Sequence, residues 1–370
     1  MREADFMARK MIKSFFAVLL ILIMMSTSVL AAENAETTVT RVPYSIALRG
    51  AINNLPALTG MDDMIDELYD LRRSLRNLRD VRDRAGSATR EELSEMDRQI
   101  GELTAQMNTM RITQEILRTS TEFSMRSSMT AIANIELDIK LMEANLELDR
   151  LALQNSALRL TAGLISESDF NIAELELQQQ EADLAARRVS LETEQQNLNR
   201  ILQRSIAGNY YVVVDKTLID LPEDLNGHVR RAAPRQANVR QRDIAVNRAR
   251  ALWNDEVLRF SPERASLERS LNQAQRERAE ALRSTETIIR NQYNNLQALN
   301  RQNDSLNIEL QRANERLEVA RLNQQAGRAT PYDISRAELA ILQIEISLQR
   351  NFNNAWNAQF IFENPFLLAN

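Results

Sequence analysis

The side chains best suited to chemistry are scarce in this chain. His228 is the single histidine and cysteine is absent, so neither a His/Cys metal site nor thiol chemistry is available. His228 stands beside Arg230 and Arg231 near a predicted helix start, and without a second histidine we interpret it as a helix surface residue rather than a ligand or a base. There is also no Gly-rich phosphate loop. The sequence therefore predicts no catalytic site, no metal, no cofactor and no enzyme.

Two aspartates are set apart by their spacing. Asp169 and Asp333 are 164 residues apart, and so are Gly163 and Gly327. Each aspartate closes the pattern Gly-x-x-Ser/Thr-x-x-Asp, in "AGLISESD" and in "AGRATPYD". A carboxylate in the first turn of a helix meets free backbone N–H groups and the positive helix end. We therefore expect both aspartates to lie in the first turn of a helix.

The two glycines predict sharp reversals of the chain. A left-handed residue just past a helix end costs little only for glycine. Gly163 and Gly327 are thus expected to end one long helix each, while Ser166 and Thr330 cap the helices that return. The predicted hairpin turns are 162–169 and 326–333.

Long helices must hold these turns in place. Only 8 glycines, 7 prolines and 5% aromatic residues are present, which is typical of long helices with thin cores. Residues 90–161 contain no helix breaker except Gly101, and an apolar seam there keeps the spacing of about 3.5 residues that coiled coils use. The seam consists of Leu137, Leu141, Ala144, Leu148, Leu151, Leu158 and Ala162.

Local signals bound the other helices. Pro56 is expected to end a brief first helix. Thr89 and Glu92 form a capping box for the long helix, and Ser261 with Pro262 is expected to begin its counterpart in the second half. The predicted helices are 44–58, 61–84, 90–161, 170–206, 226–258, 262–326 and 331–361.

The flanks of the two turns also match. Leu177 and Leu184 correspond, at the same offset of 164, to Ile341 and Leu348. We infer an internal duplication in which each half pairs one long helix with two shorter helices laid end to end. The segment "GNYYVVVDKTLIDLPEDL" carries the one clear β signal. The predicted divisions are a signal peptide (1–31), a first repeat (32–207), a β segment (208–225), a second repeat (226–361) and a C-terminal tail (362–370).

The first residues indicate export. Arg9, Lys10 and Lys13 precede the apolar run 15–25, and small residues suit cleavage after Ala31. This apolar run is too short to span a bilayer, and an uncleaved anchor is the alternative. We expect the chain in the periplasm or the wider extracytoplasmic envelope, associated with an outer membrane or a cell wall. Charges of both signs interleave along the helices, so no nucleic-acid partner is expected.

Together these features resemble the TolC-type outer-membrane efflux protein family. The resemblance covers about 44–361 and is carried by two halves, each with a short helix, a long helix, the Gly-x-x-Ser/Thr-x-x-Asp turn and a return helix. "SIALRGAINNLPAL" is similar to the family's first motif, with Leu55 inserted before Pro56. "HVRRAAPRQANVRQRDIAVNRAR" is similar to its counterpart in the second half.

The resemblance implies an all-α fold of long antiparallel coiled-coil hairpins, assembled as a homotrimeric α-helical barrel. It implies the exit duct of a tripartite efflux or type I secretion system. The turns would form the tip that docks a membrane-fusion (periplasmic adaptor) protein, and an inner-membrane ABC or proton-driven transporter would supply the cargo. A non-transporting coiled-coil scaffold or adaptor of the envelope is the alternative, and an exported holdase-like coiled coil is a third possibility.

One family feature has no counterpart here. Family members insert two transmembrane β-strands between the first short helix and the long helix of each half, and such a strand needs about 9–11 residues. Only "AGSATREE" and "RFSPERA" occupy those places, and both indicate tight turns between helices. We therefore expect a member that inserts no transmembrane barrel of its own.

Site residues follow from the resemblance. Asp169 and Asp333 would line the duct constriction as a ring of carboxylates, which is compatible with their capping role. Arg336 stands where the family often carries a further acidic residue, which argues against a strongly cation-selective ring. Leu164 and Arg328 are open to two interpretations, adaptor contacts or contacts within the trimer. The predicted docking residues are Gly163, Leu164, Ser166, Gly327, Arg328 and Thr330.

Two other features are interpreted as packing. Trp253 and Trp356 lie on predicted helices and are expected to anchor the core rather than stack on a ligand. The apolar tail "FIFENPFLLAN" is expected to pack on the rest of the protein, and contact with a membrane or a partner is its alternative.

Overall fold

Eight α-helices and one pair of strands make up the part of the chain that the computed structural model describes, residues 40–205, 210–213, 220–255, 257–258 and 262–369. The predicted signal peptide, 1–31, lies outside these residues. In chain order the elements are β1 (Thr40–Pro43), α1 (Tyr44–Asn53), α2 (Pro56–Arg84), α3 (Arg90–Thr161), α4 (Glu167–Ile201), β2 (Tyr210–Val213), α5 (Leu225–Ala232), α6 (Ala237–Asn254), α7 (Arg264–Gln325) and α8 (Pro331–Glu363). Short 3₁₀ helices occupy Ala233–Arg235 and Pro365–Leu368.

The long helix α3 carries two shorter helices end to end along one side. Near its start, Gln114 donates a hydrogen bond to Asp62 of α2 (2.7 Å). Further along, Arg150 donates to Glu181 of α4 (2.7 Å). The capping box predicted for Thr89 is present at the N-terminus of α3. The arrangement predicted for the first half is therefore confirmed.

The second half repeats this arrangement around α7. Arg242 of α6 donates to Glu277 near the start of α7 (2.9 Å), and Arg321 near its end donates to Glu338 of α8 (2.9 Å). Both α6 and α8 also contact α3. The helices thus form an open layer in the order α2 with α4, then α3, then α6 with α8, then α7.

A single carboxylate joins three helices of this layer. Asp138 of α3 accepts a hydrogen bond from Arg187 of α4 and forms an ion pair with Arg350 of α8. Close by, Asn353 of α8 donates to Asn134 of α3 (2.9 Å). Polar pairs inside a helical interface favour one register over others, because a shifted register would leave the same groups buried without partners.

The strands lie where the shorter helices of the first half meet. β1 and β2 pair in parallel with Val42 opposite Val212, and both valines are buried against Met125 of α3 and Leu198 of α4. The β prediction for 208–225 is confirmed at Tyr210–Val213. β1 (Thr40–Pro43) was not predicted, since the first predicted element begins at residue 44. So short a strand has no periodic pattern of its own, and its partner β2 determines it.

Three prolines act differently from the predictions. Pro56 begins α2 instead of ending α1, because a proline at the first helical position loses no hydrogen bond. Pro234 breaks the predicted helix 226–258 into α5 and α6, with Gln236 extended between them. Pro262 precedes α7, which begins at Arg264, while Ser261 lies outside the described residues.

The turn between α2 and α3 is as tight as predicted. It occupies residues 85–89, with Gly86 at a φ of 58°. The second predicted tight turn, "RFSPERA", falls partly outside the described residues. Among the helices of the described ranges, none has both the length and the hydropathy of a segment that crosses a membrane.

An aromatic cluster around Arg126 joins the two halves. Tyr44 donates a hydrogen bond to Glu122 (2.8 Å), and Arg126 donates to the Tyr44 oxygen (3.0 Å). The Arg126 guanidinium lies 4.5 Å from the ring centroid of Trp356 and 4.3 Å from that of Phe360. Trp356 is only 4% exposed, so its predicted role as a packing anchor is confirmed.

The other residues predicted to pack lie at the ends of the second half. Trp253 of α6 stacks with Arg264, whose guanidinium lies 4.0 Å from the ring centroid. Phe366 in the tail is buried with Ile112 of α3 and Ala237 of α6. Within the described chain, therefore, the tail packs across both halves, as predicted.

His228 is half-buried rather than a surface residue. It stacks on Phe362 with ring centroids 4.9 Å apart. Burial, and then the nearby Arg231, lower the pKa of the imidazole below its ordinary value of 6.5. The sequence did not show this environment, because α8 covers His228 from a distant part of the chain.

This contact predicts a pH dependence of stability. As pH falls below about 6.5, the unfolded chain takes up a proton on His228 before the folded chain does, so the free energy of unfolding decreases. The stabilisation from the neutral, half-buried His228 is fully present above that pH. Urea unfolding across this range should show a weaker pH dependence for His228→Gln than for the parent chain. Equal slopes for the two proteins would contradict the prediction.

Gln203, just after α4, has a positive φ of 52° although it is not glycine. We expect Gln203→Gly to raise the free energy of unfolding by roughly 0.5–1 kcal/mol, because glycine adopts this conformation without strain. Gln195→Gly, inside α4, is the matched control, and it should lower the free energy of unfolding by about 1 kcal/mol. Urea unfolding measures both variants. A loss of stability in Gln203→Gly would show that the contacts of the Gln203 side chain stabilise the fold by more than its backbone strain costs.

Candidate functional site: the two hairpin turns

The turn after α3 and the turn before α8 lie at the same end of the layer. Phe123 of α3 stacks with Phe360 of α8 at 6.3 Å between ring centroids, and Asp138 further along α3 pairs with the earlier Arg350 of α8. The two helices are therefore antiparallel. The C-terminal end of α3, at Thr161, therefore lies on the same side as the N-terminal end of α8, at Pro331.

The first turn is held by backbone and side-chain hydrogen bonds. Gly163 has a φ of 70°. Its N–H donates to the Leu160 carbonyl (2.9 Å), and the Leu164 N–H donates to the Arg159 carbonyl (2.8 Å). This pair of bonds is the Schellman motif, which satisfies the last free carbonyls of a helix. The predicted left-handed glycine is confirmed.

The second turn has the same backbone geometry. Gly327 has a φ of 71°. Its N–H donates to the Gln324 carbonyl (2.9 Å), and the Arg328 N–H donates to the Asn323 carbonyl (2.8 Å). Apart from the glycine and its chain neighbours, no atom of the described residues lies within 4 Å of a Cβ built on Gly163 or Gly327. The backbone conformation, rather than space, therefore explains glycine at both positions.

Each return helix begins with a capping box. The Ser166 hydroxyl accepts from the Asp169 N–H (3.1 Å), and the Asp169 carboxylate accepts from the Ser166 N–H (3.3 Å). Thr330 and Asp333 form the same pair of bonds, at 3.3 and 2.8 Å. The caps predicted for Ser166 and Thr330 are confirmed. Because Ser166 is the N-cap, α4 begins at Glu167, three residues before the predicted start.

The electrostatics of the second turn favour an ionised Asp333. The backbone N–H of Thr330, then its hydroxyl, and then Arg336 lower the pKa of the Asp333 carboxyl. Asp333 and Arg336 line a groove between α7 and α8, together with Arg316 of α7. Asp169 lies on α4, on the other side of α3. The single chain therefore brings Asp333 and Arg336 together but not the two aspartates.

The side chains after the two glycines face solvent. Leu164 is 68% exposed, and Arg328 is exposed as well. Within the described chain Arg328 forms no ion pair or side-chain hydrogen bond. Their neighbours Gly163, Ser166, Gly327 and Thr330 are also exposed. The end of the layer is thus an exposed surface on which these two side chains are available to a partner.

A second surface was missed by the sequence reasoning. The face of α4 that contacts α3 includes Leu177 and Leu184, but another apolar seam on α4 is exposed. Its members follow one another at three- and four-residue steps, a signal that could have been found beside the buried seam. They are Ile172, Leu175, Ala182, Ala186 and Val189, with Gln179 as the polar step.

Comparison with known proteins identifies the fold. No protein-family model and no curated protein matches the chain. Among solved structures, CusC, studied for its transmembrane channel formation, has a TM-score of 0.64 at 12% identity over 89% of this chain and 94% of its own. A membrane protein from Pseudomonas aeruginosa has a TM-score of 0.58 at 12% identity over 86% and 89%.

The outer membrane protein VceC from Vibrio cholerae has a TM-score of 0.56 at 13% identity, over 85% of this chain and 94% of its own. None of the three structures is described as an enzyme. At such low identity the similarity concerns the fold, and it extends over nearly all of each chain. This chain therefore has the fold of CusC and VceC, which confirms, at the level of the fold, its resemblance to the TolC-type outer-membrane efflux proteins.

Proposed function

We propose that this chain is the subunit of a homotrimeric α-helical exit duct in the extracytoplasmic envelope. It would dock a membrane-fusion (periplasmic adaptor) protein through its two turns and receive cargo from an inner-membrane ABC or proton-driven transporter. The observation that carries the proposal is the open helical layer, whose two edges expose apolar seams. Such edges need partners, and the fold similarity to CusC and VceC supports a channel as the result.

The first edge is formed by α2 and α4. On α4, Leu175 and Val189 are each 63% exposed, and small alanines between them would let another helix approach closely. Eight carboxylates and three arginines give α4 a strongly negative charge. This edge therefore combines an apolar coiled-coil seam with acidic flanks, which suits a helix of opposite charge.

The second edge is formed by α7. Ile308, Val319 and Leu322 are exposed there, on the side away from α6 and α8. Ten arginines against eight carboxylates make α7 positive overall. The two edges thus differ in their exposed apolar residues and are opposite in charge. They suit head-to-tail association, which forms a ring if the rotation closes, and the resemblance implies closure at three chains.

The edges can be tested by charge insertion. Leu175→Glu combined with Val189→Glu is expected to reduce the assembly from three chains to one, because it buries carboxylates in the seam. Gln343→Glu with Gln349→Glu adds the same charge at exposed positions of α8, which forms neither edge, and should leave the trimer intact. Sedimentation analysis measures the mass. A trimer that tolerates the seam variant, or a parent chain that stays monomeric, would refute this interface.

The same trimer distinguishes a duct from a scaffold. We expect electron cryomicroscopy of the parent assembly to show a water-filled lumen along the helices. A trimer packed solid along its axis would instead favour a non-transporting coiled-coil scaffold. The measurement does not depend on knowing the cargo.

A further inference from the structure

The two turns share a backbone but differ in surface chemistry. The equivalent segments 157–175 and 321–339 have the same glycine, caps and aspartate. The first carries one arginine and three carboxylates, whereas the second carries three arginines and two carboxylates. The side chain after the glycine is Leu164 in one and Arg328 in the other. Since the backbones agree, the difference lies in what each turn offers to a partner.

The first turn presents an apolar side chain among carboxylates. Leu164 lies beyond the last residue of α3, and Ile165 beside it is half-buried. Glu167 is exposed and forms no ion pair within the described chain. Asp169 is already engaged by Ser166. The surface that complements this turn is an apolar pocket with a basic rim.

The second turn presents an unpaired cation. Arg321 pairs with Glu338 (2.9 Å), and Arg336 lies close enough to lower the pKa of Asp333. Arg328 therefore stands out among the arginines of this segment, because it has no counter-ion in the described chain. A guanidinium is best matched by a carboxylate, which can accept two parallel hydrogen bonds.

We propose that the two turns are non-equivalent docking points. The adaptor places a basic-rimmed apolar pocket over Leu164 and an aspartate or glutamate against Arg328. This inference rests on the proposed function, because it assigns a chemistry to the same docking end. Leu164 and Arg328 lie beyond their helix ends, whereas the seams that would meet a second copy lie within α4 and α7. In a ring the two kinds of turn alternate, so the adaptor docks in one rotational register.

Photo-crosslinking tests the assignment in the cell. Benzoylphenylalanine is placed at position 164 or 328 of the full chain, and the crosslinked peptides are mapped by mass spectrometry. We expect one adaptor at both positions. Position 328 should map beside an acidic residue, and position 164 should map to apolar residues with lysine or arginine nearby.

Charge exchange then tests the pair directly. Arg328→Glu should weaken adaptor binding about tenfold or more. Replacing the mapped acidic residue of the adaptor with arginine should restore binding to this variant. Arg328→Lys should bind almost normally, and Arg250→Glu, an exposed change far from the turns, should have no effect. Leu164→Ser should weaken binding with little dependence on salt, because the lost contact is apolar.

The outcomes separate this inference from the proposed function. If position 328 crosslinks only to a second copy of this chain while position 164 captures the adaptor, the turns dock but the charge assignment is wrong. Failure of the exchanged charges to restore binding would also overturn it. If neither position captures an adaptor, the docking end itself is misassigned, and the proposed function fails with the inference.

Discussion

Arg126→Ala is expected to lower the free energy of unfolding by about 3 kcal/mol. The Arg126 side chain is only 18% exposed. Its removal ends the contacts with the rings of Trp356 and Phe360 and leaves the Glu122 carboxylate, itself mostly buried, without its cation. The loss is large because α3 and α8 meet at this cluster, so the contacts joining the two halves weaken together.

Urea unfolding followed by circular dichroism measures this effect. Arg118→Ala is the matched control, since Arg118 is exposed on the same helix and forms no ion pair within the described chain, and it should change stability by about 0.5 kcal/mol or less. The double variant Arg126→Met with Glu122→Gln should be more stable than Arg126→Ala, because it leaves no unpaired charge buried. Equal effects of Arg126→Ala and Arg118→Ala would show that the cluster contributes little.

Leu164→Glu combined with Arg328→Glu is expected to abolish adaptor binding and export without unfolding the protein. Both side chains are exposed, and the glycines and capping boxes that hold the turns are unchanged. Leu164→Glu removes the apolar contact and adds negative charge to an acidic turn. Arg328→Glu reverses the sign of the charge at position 328. Helicity and assembly mass should equal those of the parent, while recovery of the adaptor by pull-down should fall by about tenfold or more.

Gly163→Val is the contrasting variant. It should reduce stability by at least about 1 kcal/mol, because a branched residue is forced to positive φ although there is space for its side chain. The pair of variants separates folding from docking. If the double glutamate variant exports cargo and recovers adaptor like the parent, the turns are only bends between helices.

The sequence by itself determined the features that depend on near neighbours. Gly163 ends α3, and Ser166 with Asp169 begins α4, because every hydrogen bond involved joins residues at most five positions apart. The same holds for the second turn and for the capping box of Thr89 at the start of α3. Helix periodicity is also local, so the long helices and their end-to-end arrangement could be predicted.

Only the tertiary structure decided features that depend on distant segments. Thr40–Pro43 is a strand because β2 pairs with it, and His228 is half-buried because Phe362 covers it. Asp138 is shared between Arg187 and Arg350, which are 163 positions apart in the chain. Nothing in the spacing of these residues indicates such contacts, since they arise only when α4 and α8 pack on opposite sides of α3.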